Sequence, residues 1–444
     1  MREVSWNEAL SAAASLIEEA KAAGGASGVA VIGGARGTNE DAYAWSRLAR
    51  EVIGTPNVYA QMGDGLPADL LRLDRATIDE AANATTIVLL GPDLKEELPV
   101  LYLRLRDAAE KKRSRILEFT SKQSGLTRNA WRSVGYEPGS QVAVVNETLA
   151  NSDVAAQLAK GNVVVVFGRA NLAETTTASV HALHRVLEAV PGAKVLPAFR
   201  RGNSVGALQV GLNTGAGGLD TRGVLQAAAD GKIDCLVLVG ADPLADFPDT
   251  ELARRGLAGA RRTIAVDTFL TGSSARADVV LPACAFGEKD GTTTNLEGRV
   301  STVARQVSPA GNTRPDWMIA SGLATTLGGD LGYANVGEIT LDISINVGGF
   351  DQVTPDDCIA TLAEFEPLDF GEQPGQCAIA QTVVQLLNAL ARLVGSTHRL
   401  AAVQKTPGEN LMDAALARVV APELVEAAIG DIGLPTGVGE PTLG

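Results

Sequence analysis

Short, uninterrupted apolar runs recur along the chain, each closed by glycine, proline or an acidic residue, and amphipathic stretches separate them. Val29-Ala30-Val31-Ile32 runs into Gly33-Gly34, and Thr85 to Leu90 into Gly91-Pro92-Asp93. Asn162 to Phe167 runs into Gly168-Arg169, and Cys235 to Val239 into Gly240-Ala241-Asp242-Pro243. Strands with one face in water alternate apolar and polar residues; these do not. Continuous apolar strands linked by helices mark parallel sheets covered on both sides. Further strands are expected at Arg115–Phe119, Lys194–Pro197, Thr263–Asp267 and Asp278–Leu281.

The intervening segments read as helices. Trp6, Leu10, Ala13, Ile17 and Ala20 share one face of a helix that ends at Gly24-Gly25. Thr38 or Asn39 can cap a helix over 40–53. Others are expected near 100–112, 177–190 and 251–257. The fold class is therefore α/β: two lobes of mostly parallel, doubly wound sheets, residues 1–150 and 151–330. Ile87–Asp93 and Leu236–Pro243 resemble each other, which supports two similar halves, although any two βαβ units look alike. Beyond Gly328-Gly329-Asp330-Leu331-Gly332, read as a flexible break, 331–444 is expected to be a small irregular appendage. Alternation suggests a strand over Thr340–Val347, amphipathicity a helix over Ala378–Leu393, and Pro422–Glu426 a short helix start. Gly430–Gly444 is expected to be a mobile tail.

Composition narrows the function. The 444 residues carry a formal charge of −14, which disfavours binding nucleic acid by neutralising phosphates. No run of 18 apolar residues is present, so no direct membrane insertion is expected. Residues 1–6 have no signal-peptide pattern. The four cysteines, Cys235, Cys284, Cys358 and Cys377, form no clustered thiolate pattern for zinc or iron–sulfur and no disulfide framework.

Ligands of open parallel sheets bind beyond the carboxyl ends of strands. If a ligand cleft exists, its candidate residues are Gly91, Asp93, Glu118, Thr120, Gly240, Asp242 and Asp267. Carboxylates there could hydrogen-bond the amino groups of a guanine or pterin, or could simply cap the following helices. The turn Gly33–Gly37 could cradle a phosphate or serve only as a tight strand-to-helix turn. His181 and His184 lie three apart on one helix without a companion Glu. Cys284 has no nearby His in sequence and reads as a small core residue. The polar stretch Glu288–Arg299 either binds a ligand or buttresses an interface.

Several ordered segments carry a family resemblance. They are Val4-Ser5-Trp6-Asn7-Glu8-Ala9-Leu10, Gly37-Thr38-Asn39-Glu40-Asp41-Ala42-Tyr43 with Leu48-Ala49-Arg50, and Leu90-Gly91-Pro92-Asp93 with Glu97–Val100. Tyr136–Ser140, Ala277–Pro282, Gly291-Thr292-Thr293-Thr294-Asn295-Leu296-Glu297-Gly298-Arg299-Val300 and Arg314-Pro315-Asp316-Trp317 follow. Together they resemble the molybdopterin oxidoreductase superfamily over about residues 1–325. Within it the chain is most similar to the large peripheral-arm subunits of respiratory complex I, the NADH-quinone oxidoreductases.

The resemblance implies a scaffold for NADH-to-quinone electron transfer, with no catalytic residue, metal site or cofactor of its own. Iron–sulfur clusters are then expected in a missing N-terminal part or in partner subunits, since the chain starts after the family's cluster-bearing segments. No cysteine here matches the family's molybdenum ligand. The implied partners are other subunits of the complex I peripheral arm, and the implied location is the cytoplasmic side of the cell membrane, held there through those partners. A molybdopterin-dependent oxidoreductase fragment, binding pterin through Asp93, Glu118, Asp242 and Asp267, is the alternative; bound molybdenum or tungsten would mark it. A nucleotide-binding α/β protein is a third reading. On the scaffold reading, Glu297→Ala and Arg299→Ala are expected to disturb folding or assembly.

Overall fold

A computed structural model describes residues 2–351 except 64–65, 112 and 171–173, together with 353 and 360–361. All of these fall in one compact unit, 1–377. The helices expected at Ala378–Leu393 and Pro422–Glu426, and the tail Gly430–Gly444, lie outside the described residues.

Two five-stranded parallel sheets form the α/β framework. The first contains β1 Val29–Gly33, β2 Val58–Tyr59, β8 Cys235–Val239, β9 Arg262–Asp267 and β10 Val279–Pro282, in the order β10-β9-β8-β1-β2. The second contains β3 Thr86–Leu90, β4 Arg115–Thr120, β5 Arg132–Gly135, β6 Val163–Phe167 and β7 Lys194–Pro197, in the order β5-β4-β3-β6-β7. Every residue of β1, β3, β6 and β8 is buried, as their continuous apolar composition requires. The internal echo is positional too: β3 and β8 are both the central strand of their sheet, and β4 and β9 flank them on the same side.

The sheets do not divide the chain at residue 150. The first draws on 29–59 and 235–282, and the second, 86–197, is inserted between those parts. β1 pairs with β8, Val29 opposite Cys235, and β3 with β6, Thr86 opposite Val163. A sequence read in linear order cannot show that the chain returns to its first sheet after completing the second.

Helix α1, Trp6–Gly24, buries Leu10, Ala13, Ile17 and Ala20 and is capped by Ser5, whose hydroxyl accepts from Glu8 N at 3.2 Å. Helix α2, Asn39–Arg47, begins at Thr38 in a reciprocal capping box with Asp41. It passes into a wider π-turn over Leu48–Ile53 that closes at left-handed Gly54. A third, antiparallel sheet joins β11 Gly291–Thr294 to β12 Arg299–Val303 and β13 Ala360–Thr361.

Two expectations beyond residue 328 are corrected. Thr340–Val347 is not a strand; nearly all of it belongs to the helix Val336–Asn346. Asn335 caps that helix through Glu338 N, and Ile339, Thr340, Asp342 and Ile343 bury one helical face. The apparent alternation is a fragment of that longer period. Gly328–Gly332 is pinned rather than open. Leu331 is buried, and its carbonyl accepts from Arg47 Nη1 at 3.3 Å. Among the described residues, no helix is long and apolar enough to cross a membrane.

Candidate functional site

The strand-end residues divide into two groups, one per sheet. Gly91, Asp93, Glu118 and Thr120 line a single open crevice, with Ser124, Lys122 and Ala170, at the carboxyl ends of β3 and β4. Its acidic groups are already engaged. Asp93 Oδ1 accepts from Lys95 N at 3.1 Å and Gly125 N at 3.0 Å. Glu118 accepts from the hydroxyls of Ser124 and Ser133, the second at 2.7 Å. Thr120 donates its hydroxyl to the Lys122 carbonyl. These contacts order the loop 121–127, so capping and loop closure account for the carboxylates.

Gly240, Asp242 and Asp267 lie at the ends of β8 and β9 in the other sheet. Asp242 accepts from the Ser273 hydroxyl. Asp267 Oδ1 accepts from Thr268 N at 2.8 Å, yet its partial burial raises its pKa above the ordinary aspartate value. Arg36, from the turn after β1, donates to the Gly240 carbonyl at 2.6 Å and pairs with Asp246 at 2.7 Å.

Both sheets reverse strand order next to their central strand, between β1 and β8 and between β3 and β6. At both places the backbones close on each other. Gly33 has φ +108°, and a Cβ there would lie 2.1 Å from the Val239 carbonyl oxygen. Gly168 N donates to the Leu90 carbonyl at 2.9 Å, and a Cβ on Gly168 would lie 2.7 Å from Pro92 Cδ. The glycines thus serve close strand-to-strand approach. The Gly33–Gly37 turn is a tight turn, and its following helix is capped by protein.

Three of the segments that carry the family resemblance, those around Asn39–Asp41, Thr292–Thr294 and Asp316–Trp317, meet at α2 in a buried polar cluster. Glu40, wholly buried, accepts from Thr292 N at 2.7 Å, Thr292 Oγ1 at 2.8 Å and Thr340 Oγ1 at 2.9 Å. Burial raises its pKa, and these hydrogen bonds offset part of the rise. Asn39 Nδ2 donates to Thr292 Oγ1 at 3.0 Å and Thr294 Oγ1 at 3.1 Å. Asn203 accepts from Thr294 N at 2.8 Å and donates to the Gly37 carbonyl at 3.1 Å.

Lys289 sits between Asp41 and Asp316, 2.6 Å from each, with all three buried. Burial would lower the lysine pKa, but the two carboxylates raise it. Burial moves Asp316 up to about 6, with the ammonium opposing that rise. Trp317 N donates to Asp41 Oδ1 at 3.0 Å. One turn on from Tyr43, Arg47 pairs with Glu51 at 2.7 Å and Asp342 at 3.0 Å and donates to the Tyr333 hydroxyl. Arg314 stacks on the Trp6 ring at 4.3 Å, and Trp6 Nε1 donates to the Asn312 carbonyl at 2.8 Å.

Sequence patterning singles out Glu288–Arg299 but not what it meets. It does not pick out Lys289, Asn203, Asp316, Thr340 and Arg47 as members of one cluster. A lysine flanked by polar residues carries no sign of burial until its two carboxylates are placed. In the same loop, Glu297 accepts from Ile78 N at 2.7 Å and so ties the hairpin to the helix Ile78–Asn83. Arg299 is exposed, so only Glu297 of the two has a buttressing contact to lose.

Among the described residues, no group of three His, Cys, Asp or Glu side chains is placed to hold a metal. Cys235 and Cys284 are buried free thiols. Burial pushes the first up to about 12 and also raises the second, which favours the thiol over the ligating thiolate. His181 and His184 are both exposed on the helix Thr176–Ala189. The closed sheet reversals and engaged carboxylates likewise do not suit pterin.

Comparison with known proteins places these observations in a family. The molybdopterin oxidoreductase family model matches residues 1–326. The chain is 28% identical over 406 residues to the alpha subunit of NADPH-Fe(3+) oxidoreductase of Geobacter sulfurreducens, covering 73% of this chain and 48% of that protein. It is 29% identical over 368 residues to the G subunit of NADH-quinone oxidoreductase of Mycobacterium bovis, covering 75% of this chain and 45% of that one. The chain therefore spans about half the length of these relatives. Acetylene hydratase from Pelobacter acetylenicus shares the fold at a TM-score of 0.53 and 15% identity, over 74% of this chain and 59% of the hydratase. With a family match over most of its length and a pair of parallel doubly wound sheets, the chain belongs to the molybdopterin oxidoreductase family.

Proposed function

We propose that this chain is the molybdopterin-oxidoreductase-like part of a multi-subunit complex of the NADH-quinone oxidoreductase type, equivalent to part of its large peripheral-arm G subunit. In this reading it is a scaffold with no redox centre of its own. It packs against cluster-bearing parts and serves NADH-to-quinone electron transfer by assembly and insulation. Iron–sulfur clusters belong to those other parts or to partner subunits of the peripheral arm. The chain sits at the cytoplasmic face of the membrane through those partners.

The commitment of the strand-end groups carries the proposal. The strand-end acidic residues cap loops, and landmark residues around Glu40, Thr292 and Asp316 are engaged in a buried packing cluster. Among the described residues, the buried thiols of Cys235 and Cys284 have raised pKa values, which disfavours the thiolate a redox metal needs. Similarity to the NADH-quinone oxidoreductase G subunit supports the complex I assignment, and similarity to the NADPH-Fe(3+) oxidoreductase alpha subunit supports the wider class of multi-subunit oxidoreductases.

The test is purification of the tagged chain from its native membranes without denaturant, followed by assay of metals, pterin and flavin. Co-purifying iron–sulfur and flavin subunits, with negligible molybdenum, tungsten and pterin, is the expected result. Stoichiometric molybdenum or tungsten with pterin would overturn it in favour of a catalytic oxidoreductase.

A further inference from the structure

The segment after β7 crosses from one sheet to the other. Ala198 N donates to the Phe167 carbonyl in the second sheet at 2.6 Å, whereas Asn203 N donates to the Ala35 carbonyl beside the first at 3.1 Å. Between them lie two consecutive arginines. Arg200 pairs at 2.8 Å with Glu97, in the helix that follows β3. Arg201 pairs with Asp246, in the helix that follows β8. Asp246 is also the partner of Arg36, from the turn after β1, and its side chain is only 10% exposed. Neighbouring arginines thus grip the carboxyl-end loops of different sheets.

The backbone shows how adjacent side chains achieve this. Arg201 has φ +78° and is the one non-glycine residue with positive φ among those described. A left-handed conformation is strained for an L-residue with a Cβ. Such strain persists where surrounding contacts hold it, and the Asp246 pair is one such contact here.

We propose that Arg200 and Arg201 form an ionic clasp that holds the carboxyl-end loops of the two sheets together, so that separating those loops requires releasing it. Ligands of parallel sheets approach from the carboxyl ends. The inference rests on the ion pairs and the backbone, and holds whichever partners the complex contains.

Amide hydrogen exchange on the purified chain tests it, read at the two loop helices Leu94–Glu97 and Pro243–Asp246 and compared with β3 and β8. In Arg201→Gly, exchange at Leu244–Asp246 should rise about two- to fivefold, the range for partly exposed charge pairs, while β3 and β8 stay protected. Glycine relieves the positive-φ strain, so a rise cannot come from added strain. Glu97→Arg alone should loosen Leu94–Glu97, and Glu97→Arg with Arg200→Glu should restore its protection. Sodium chloride at about 1 M should loosen both loops in the unaltered chain. Unchanged loop exchange in Arg201→Gly and at high salt would overturn the clasp. So would a charge swap that fails to restore protection while β3 and β8 remain protected.

Discussion

Lys289 bridges two buried carboxylates, so the trio carries one negative charge more than its single cation neutralises. Removing the cation is the damaging change. Lys289→Met leaves Asp41 and Asp316 facing each other without a counter-charge and should cost about 3–5 kcal/mol of stability. Asp316→Asn removes the surplus charge and should leave stability at pH 7 equal or higher. The pH dependence follows from the sign. Asp316 titrates near 6 when folded, above its ordinary value of 3.8, so the folded state binds the proton more tightly. Its contribution therefore grows as pH falls through 6 and is fully present below about 3.8. Urea unfolding at about pH 7 and about pH 4.5 should show the unaltered chain gaining on Asp316→Asn at the lower pH. An unchanged gap would mean that Asp316 does not titrate in this range. In the neighbouring loop, Glu297→Ala should cost about 1–3 kcal/mol by orphaning the Ile78 amide, and Arg299→Ala less than about 0.5. Thermal melts of the two variants would separate them.

Elements are legible in the sequence wherever a period is long enough. The continuous runs at Val29–Gly33, Thr86–Leu90, Val163–Phe167 and Cys235–Val239 announce fully buried strands, and the Trp6–Gly24 stripe announces its helix. The two-residue strand Val58–Tyr59 and the exposed edge Arg132–Gly135 carry no such signal, because their pairing comes from neighbours distant in sequence. Strand-end carboxylates are legible as positions but not as roles. Whether Asp93 faces a ligand or caps Lys95 depends on a loop that folds back from residue 125. The polar cluster is legible only as a set of ordered landmarks, since its contacts span from Glu40 to Thr340. Capping gives a test at this scale. Thr38→Ala removes the acceptor for Asp41 N and should lower stability by about 1 kcal/mol or somewhat more. Gly33→Ala should cost considerably more, because its Cβ would strike the Val239 carbonyl that orders β1 against β8. Chemical denaturation of both variants checks that order.

At the scale of the molecule, residues well past the two sheets complete their centre. Tyr333, Thr340 and Asp342 supply partners to Arg47 and Glu40 on α2. A chain cut after Gly329 loses all three and leaves a buried arginine and a buried glutamate under-partnered. A chain cut after Val353 keeps them. Calorimetry should place the melting temperature of the shorter chain well below that of the longer one. Equal values would mean that the helix Val336–Asn346 adds nothing to the core.

The insertion of the second sheet within the first also sets an order of events during synthesis. β3 to β7 are all made by residue 197, and that sheet can close while the ribosome is still working. β1 and β2 emerge earlier and pair with each other, but the other edge of β1 has no β8 to pair with until residue 239 is made. At typical elongation speeds this delay lasts about 10–40 seconds. For that interval Val29–Gly33, a strand with no exposed residue in the finished protein, presents an unpaired apolar edge in a nascent chain. Trigger-type holding chaperones should therefore engage this protein through its first strand, and ribosome-bound chains stalled before residue 235 should crosslink to them there more strongly than chains stalled after residue 282.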